Sequence, residues 1–521
     1  MYTLDRSRPR ASSLAVGGGR ILACGDDGEL DELVGPHTRV IDLNKQAVVP
    51  GFVDAHLHFG HHAMARQEVD LDAAKTLADG LELLRAAAER LKPDQWLRGR
   101  GWDRNRWGGL PTAADLDTAI GTRAAALSSH DGHALWLSST ALHATGIDRQ
   151  TSAPPGGVIE RDEHGNPAGV LFENAQDLVR RHIPEPTDRE LRDAILRALK
   201  LASAAGLTGI HNFEDARTRR TFQSIEAAGE LTLRVYHGVP RGELKHARER
   251  GLQTGVGSDW LRIGPVKLFA DGALGSRTAH LLEPYVGRLD DGYRGVATMT
   301  PDELCEHMRL AADAGLDLAV HAIGDAAVRS VLDAYERTRN AHPALGQRML
   351  RIEHAQMVDP SDVPRFAKLG VIASMQPSHA TADWRVADAH WGERSRHAYA
   401  WRSLLDAGAT VAFGTDAPVE SLEPLKSLYA ATTRRDPQGE PSGGWFAAQC
   451  LTLEEAIRAY TVGSTSAERA AGRRGRLVPG MDADLVVLAP DPFLFDPATL
   501  LDTPLDTRVQ LTMVGGRITF E

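Results

Sequence analysis

The sequence predicts an α/β protein: an eight-stranded parallel β/α barrel with an inserted cap and a small sheet domain built from both ends of the chain. Three observations predict it. Strand-like and helix-like segments alternate eight times between Val48 and Ala471. The stretch 60–206 interrupts this alternation after the first strand. The two termini carry echoing patterns, LAVGGGRILAC (14–24) and LTMVGGRIT (511–519).

Each terminal pattern reads as strand, Gly-rich turn and strand, which is a hairpin signal. With LVVL (485–488), they define a composite domain over 1–47 and 476–521. The barrel is expected over 48–59 and 207–475. Its strands are read at VVPGFVDAHLH (48–58), LTGIHNF (207–213), LTLRVYHGV (231–239), LRIGPVKLFADG (261–272), LDLAVHA (316–322), MLRIEHA (349–355), GVIASMQP (370–377) and TVAFGTDAP (410–418). Near-continuous apolar strands separated by helices such as 188–206, 301–315 and 325–340 are the pattern of a parallel sheet covered on both faces. A doubly wound open sheet is the alternative, but no GxGxxG follows the first strand. A loop as long as 60–206 does not stay structureless in a compact protein. It carries a helix pattern (76–91), a Trp/Gly-rich stretch WLRGRGWDRNRWGG (96–109) and a hairpin pattern (156–173), and is expected to form a cap.

The chain has 521 residues, 42 % apolar and 25 % charged, with a formal charge of −11. That balance is that of a soluble globular protein and disfavours nucleic acid or an anionic membrane surface as partner. Cys24, Cys305 and Cys450 lie far apart and form no CxxC, which fits a reducing compartment. The first residues carry no apolar signal core, and no run is long enough to span a bilayer. The expected location is cytoplasmic, and the expected partner is a small-molecule substrate, with a homodimer allowed.

Chemistry-bearing residues fall at strand ends. His56 and His58 end the first strand, Lys267 lies in the fourth, His321 and His354 end the fifth and sixth, and Asp416 ends the eighth. In a β/α barrel these ends meet on one rim. Residues i and i+2 of a strand share a face, so His56 and His58 project together as neutral nitrogen ligands for a divalent metal. An isolated HxH arises by chance in a chain with 21 histidines; the later strand-end His, His and Asp favour ligation. Asp416 has a competing reading as a helix N-cap before Pro418. Lys267 admits two readings: a carbamate able to bridge two metals, or an ammonium paired with Asp271 on the same strand face. Asp271 is also a candidate substrate contact. ADGALGSRTA (270–279) lacks the phosphate-loop form and reads as a loop at the barrel mouth. The stretch 378–401 reads either as a pocket wall or as a solvated loop.

PGFVDAHLH, VKLFADGALGSRTA, HAIGDAA, RIEHAQ and FGTDAPVE together resemble the amidohydrolase superfamily. GWDRNRW and SHDGHALWLSSTAL narrow the resemblance to its amidohydrolase-3 group, over nearly the whole chain. The resemblance implies a distorted TIM-like barrel beside a composite β-sandwich. It implies metal ligation by His56, His58, Lys267 (often carboxylated), His321 and His354, with Asp416 catalytic. It also implies substrate contacts at Asp103 and His133 in the cap. Ser138 and Ser139 stand where the group usually places an Asn. The implied cofactor is one or two divalent ions, zinc first. The expected activity is hydrolysis of a non-peptide carbon–nitrogen bond by metal-activated water. The alternatives are a lactone, ester or organophosphate hydrolase, and a binding protein on a retired hydrolase scaffold.

Overall fold

A computed structural model of the chain describes residues 1–92, 95–129, 133–288, 292–502 and 508–521, with backbone alone at 105. It comprises two compact units, Met1–His62 with Ile195–Glu521, and Ala63–Ala194.

The first unit holds the barrel. Its strands are β1 (Phe52–Leu57), β2 (Leu207–Asn212), β3 (Arg234–Pro240), β4 (Leu261–Phe269), β5 (Leu318–Ala322), β6 (Leu350–His354), β7 (Ile372–Met375) and β8 (Thr410–Phe413). They pair in parallel, in chain order, from β1 to β8. The strands are buried almost throughout, which is why they read as unbroken apolar runs rather than alternating ones. Helix Pro301–Ala314 between β4 and β5 shows how the connections are specified. Thr300 and Glu303 form a capping box, Pro301 opens the helix, and Gly315 closes it at φ 74°.

The barrel's two edges join just past the ends of the strands. Asp416 N donates to His56 O at 2.6 Å, and His58 N donates to Ala417 O at 2.8 Å. Gly414 is required there, because a Cβ would lie 2.5 Å from His56 N.

The segment 48–58 is not the single strand expected. Ala47–Pro50 pairs antiparallel with Leu485–Leu488, and β1 begins only after Gly51. Both terminal hairpins form: Ser13–Gly17 with Arg20–Gly25, and Val509–Val514 with Arg517–Phe520. They share one apolar core, in which Ile21, Val48, Leu485, Val487 and Leu511 are buried.

The second unit is a six-stranded mixed sheet with short helices. The expected helix is present as Leu77–Ala88, capped by Thr76, and the expected hairpin as Gly157–Arg161 with Pro167–Glu173. Trp102 and Trp136 centre its core. This unit is narrower than 60–206. Helix Asp188–Ala204 runs beyond it, and Ser203 O accepts from Thr512 Oγ1 in the first unit. Among the described residues, no helix is long and apolar enough to cross a membrane, and the three cysteines are free.

Candidate metal centre

Strand alternation on β1 places Asp54, His56 and, one step past its end, His58 on one face. Lys267 lies near the end of β4, His321 on β5 and His354 on β6. The rings of His56 and His354 are 4.9 Å apart, and those of His321 and His354 4.7 Å. Lys267 Nζ is 3.2 Å from His56 Nε2. Asp416 Oδ1 is 3.3 Å from His58 Nε2 and 3.6 Å from His56 Nε2. The six residues converge, as the sequence led one to expect. No helix begins at Pro418; the next helix is Pro424–Thr433, so Asp416 is not an N-cap.

Hydrogen bonds fix which ring nitrogen carries the proton. His56 Nδ1 faces Glu353 Oε2 at 2.6 Å, and His58 Nδ1 faces the Phe213 carbonyl at 2.9 Å. His354 Nδ1 faces Gln376 Oε1 at 2.9 Å, and His321 Nε2 faces the Gly272 carbonyl at 2.9 Å. Each partner is an acceptor, so each of these nitrogens donates. In a neutral imidazole the other nitrogen then keeps its lone pair. Four lone pairs of this kind, with one carboxylate and one amine, form a donor set that fits a divalent transition metal.

The electrostatics keep the rings of His56, His321 and His354 neutral. Burial, then the Lys267 charge, lowers His56 and His321 to about 4 in the metal-free protein. Burial also carries His354 well below its ordinary value. Lys267 falls to about 8, again mainly through burial. Burial alone would raise Asp416, but the contacts with His379 and His58 hold it well below the carboxylate range. His354 (φ 74°), Ala355 (φ 42°) and Asp416 (φ 58°) occupy the left-handed region. Non-glycine residues there carry strain, which concentrates at functional sites.

Sequence reading missed several contributors. Glu353, which holds His56, is itself held by Arg351, whose guanidinium also reaches Ser374 Oγ and the Ala55 carbonyl. His379 Nε2 is 3.4 Å from Asp416 Oδ2. It opens helix Pro377–Trp391, so this part of 378–401 is a helix with a buried first turn rather than a solvated loop.

Asp271 stands beside His321 Nε2, 3.5 Å from Oδ1, rather than beside Lys267. It is 3 % exposed, and its carboxylate accepts from the backbone N–H groups of Ile323, Gly324 and His280. Among the described residues no ion pair joins it to Lys267. Asp103 and His133 lie in the second unit. There the exposed His133 Nδ1 is 3.0 Å from Glu173 Oε1. Residues 130–132 of the SHDGHALW motif lie outside the described residues. Ser138 caps helix Ser139–Ala144 and also accepts from Ala125 N, a structural duty.

Comparison with known proteins gives the family and the fold. The Amidohydrolase family profile matches residues 39–520. YtcJ of Bacillus subtilis (strain 168) is 33 % identical over 531 aligned residues, covering 100 % of this chain and 98 % of its own. The N-substituted formamide deformylase of Arthrobacter pascens is 31 % identical, covering 94 % and 92 %. The crystal structure of a metal-dependent hydrolase from Pyrococcus furiosus superposes with a TM-score of 0.76 at 29 % identity, covering 93 % and 96 %. The chain belongs to the amidohydrolase family.

Proposed function

We propose that the protein hydrolyses a carbon–nitrogen bond of a small molecule: an amide, formamide or cyclic amide. His56, His58, Lys267, His321 and His354 hold one or two divalent ions, zinc foremost, and Asp416 moves the proton. The observation that carries this reading is the four converging imidazoles, each with one nitrogen committed as donor and the other left with its lone pair, and Asp416 Oδ1 beside those of His56 and His58.

When bound, a divalent ion lowers the pKa of water and polarises a carbonyl oxygen. The chain supplies the remaining parts. Asp416 is held ionised by its imidazole neighbours, so it can take a proton from the attacking water. It then gives that proton to the departing nitrogen as the C–N bond breaks. Glu353 and Gln376 keep His56 and His354 turned toward the centre, so no reorganisation is needed when substrate arrives. The deformylase relative, alignable over almost the whole chain, supports testing N-substituted formamides first.

The test is metal analysis of purified protein, with a screen of formamides, N-acyl amines, hydantoins, lactones and phosphotriesters. Turnover of a C–N substrate should vanish with a strong chelator and return with zinc or manganese. Asp416→Asn should keep its metal and lose turnover by about 10²-fold or more, the scale of a lost general base. Metal-free protein that is fully active, or turnover confined to lactones or phosphotriesters, overturns the reading.

A further inference from the structure

The carboxylate of Asp416 has two faces with different neighbours. Oδ1 looks toward His58 and His56 Nε2. Oδ2 looks toward His379 Nε2 at 3.4 Å. His379 is 7 % exposed, and its buried Nε2 completes no hydrogen bond among the described residues; Asp416 Oδ2, at 3.4 Å, is within reach of a small turn of either group. The imidazole is fixed by its place in the fold: it sits in the first turn of a 15-residue helix that leaves the end of β7. The same ring stands near His354, so that donor atoms of His354, His379 and Asp416 lie within 4.8 Å of one another.

Two roles are open to such a ring, and chemistry separates them. His58 Nε2 and His56 Nε2 also stand beside this carboxylate, but their Nδ1 atoms are committed as donors to Phe213 and Glu353, so their Nε2 atoms keep the lone pair. His379 Nδ1 has no such acceptor among the described residues, so its proton can sit on Nε2, where the carboxylate stabilises it. A protonated nitrogen does not ligate.

We propose that His379 is a positioning residue for Asp416: its Nε2–H, donated to Oδ2, fixes the rotation of the carboxylate so that Oδ1 stays turned to the His56–His58 side. The backbone of Asp416 is already fixed by its N–H bond to the His56 carbonyl. That leaves the carboxylate torsion as the remaining freedom, and His379 removes it. A proton carrier that is pre-aimed does not lose turnover to wrongly rotated states.

This inference rests on Asp416 being the proton carrier of the proposed hydrolase, and its test separates the two. His379→Gln places an amide N–H near the position of imidazole Nε2, His379→Asn places one near Nδ1, and His379→Phe keeps the ring without a donor. On the best C–N substrate, His379→Phe and His379→Asn should lower kcat about 10- to 100-fold, the range for partners of site residues, with KM little changed. Metal content per chain should match the unaltered protein, and His379→Gln should recover most of the loss. A crystal structure of metal-free His379→Phe should show the Asp416 carboxylate rotated from its place in the unaltered metal-free protein, a readout independent of turnover. Full kcat in His379→Phe with Asp416 unmoved overturns the proposal. So does loss of metal in both His379→Phe and His379→Gln, which makes His379 a ligand. If Asp416→Asn keeps full turnover, the parent reading falls; if it loses turnover while His379→Phe does not, only the positioning role falls.

Discussion

Glu353 Oε2 stands 2.6 Å from His56 Nδ1, with the two side chains 0 % and 1 % exposed. Burial alone would raise the Glu353 carboxyl; the Arg351 charge and the hydrogen bond from His56 outweigh it and hold the acid well below its ordinary range. The carboxylate is therefore available to orient the ring and raise its basicity as a ligand. Glu353→Gln keeps an acceptor but loses the charge and leaves Arg351 buried without its counter-ion. Metal affinity should fall about 10- to 100-fold, and stability by about 3–5 kcal/mol, as when one member of a buried pair is removed. Metal titration and urea unfolding read the two effects. An unchanged affinity would make Glu353 a partner of Arg351 alone.

The parts of this site that the sequence disclosed are those whose chemistry allows few residue types. Histidines at the ends of apolar strands stand out, and a parallel barrel gathers them whatever the connections. Glu353 did not stand out, because its partner His56 lies 297 positions away and a Glu before a His has no local meaning. His379 was hidden by its surroundings: SHATADW mixes small and polar residues, and the Pro377 that opens the helix was not read as a helix start. The break at Gly51 was hidden for a related reason. Two buried strands of different sheets form one apolar run when only one residue separates them, and a Cβ at Gly51 would come within 2.3 Å of Thr208. Helix Asp188–Ala204 bears no mark in the sequence at the point where one compact unit gives way to the other, so the stretch read as 60–206 also takes in residues of the first unit.

Gly414 gives a prediction from closure. A Cβ there meets His56 N at 2.5 Å and Asp54 Oδ1 at 2.7 Å, both in the buried seam between β1 and β8. Gly414→Ala should destabilise by about 1–3 kcal/mol, the usual scale of overpacking, and should also reduce metal binding, because the atoms that must shift belong to His56. Unfolding and metal titration check it. A variant that loses stability but binds metal normally would show that the seam relaxes away from the site.

The buried histidines set an acid limit for the metal-free protein. His321 is held at about 4 against an ordinary value of 6.5, by burial first and by Lys267 second. Between these values the unfolded chain binds a proton that the folded ring refuses, so this group's contribution falls as pH drops from 6.5 to 4 and levels off below. Asp54 and Asp271, raised by burial to about 7, act in the opposite sense, so the sign is read from a difference. Relative to His321→Asn, the unaltered metal-free protein should lose stability on acidification from pH 6.5 to 4. Parallel stability curves for the two proteins would show that His321 titrates in the folded state as it does in the unfolded one.

Lys267 carries the last prediction. Its amine lies 3.2 Å from His56 Nε2, and the Phe213 and Phe269 rings are 4.9 and 5.2 Å from Nζ. Asp271, the counter-ion that a permanent ammonium would want, is committed to three backbone N–H groups. Burial brings the lysine down to about 8, so a large share is neutral in mildly alkaline solution. A neutral amine adds carbon dioxide, forming an N–C bond and releasing one proton, and the carbamate offers two oxygens. We expect a carboxylated Lys267 bridging two ions. Reloading of metal-free protein should then require bicarbonate and should speed up as pH rises from 7 through 8, the direction in which the amine loses its proton. Lys267→Ala should hold at most one ion, with short carboxylic acids restoring the second. Labelled bicarbonate should give a carbamate carbon signal that Lys267→Ala lacks. Full loading without bicarbonate, with an unmodified Lys267 beside one ion, would establish a mononuclear site in which the lysine serves as a hydrogen-bond donor to His56.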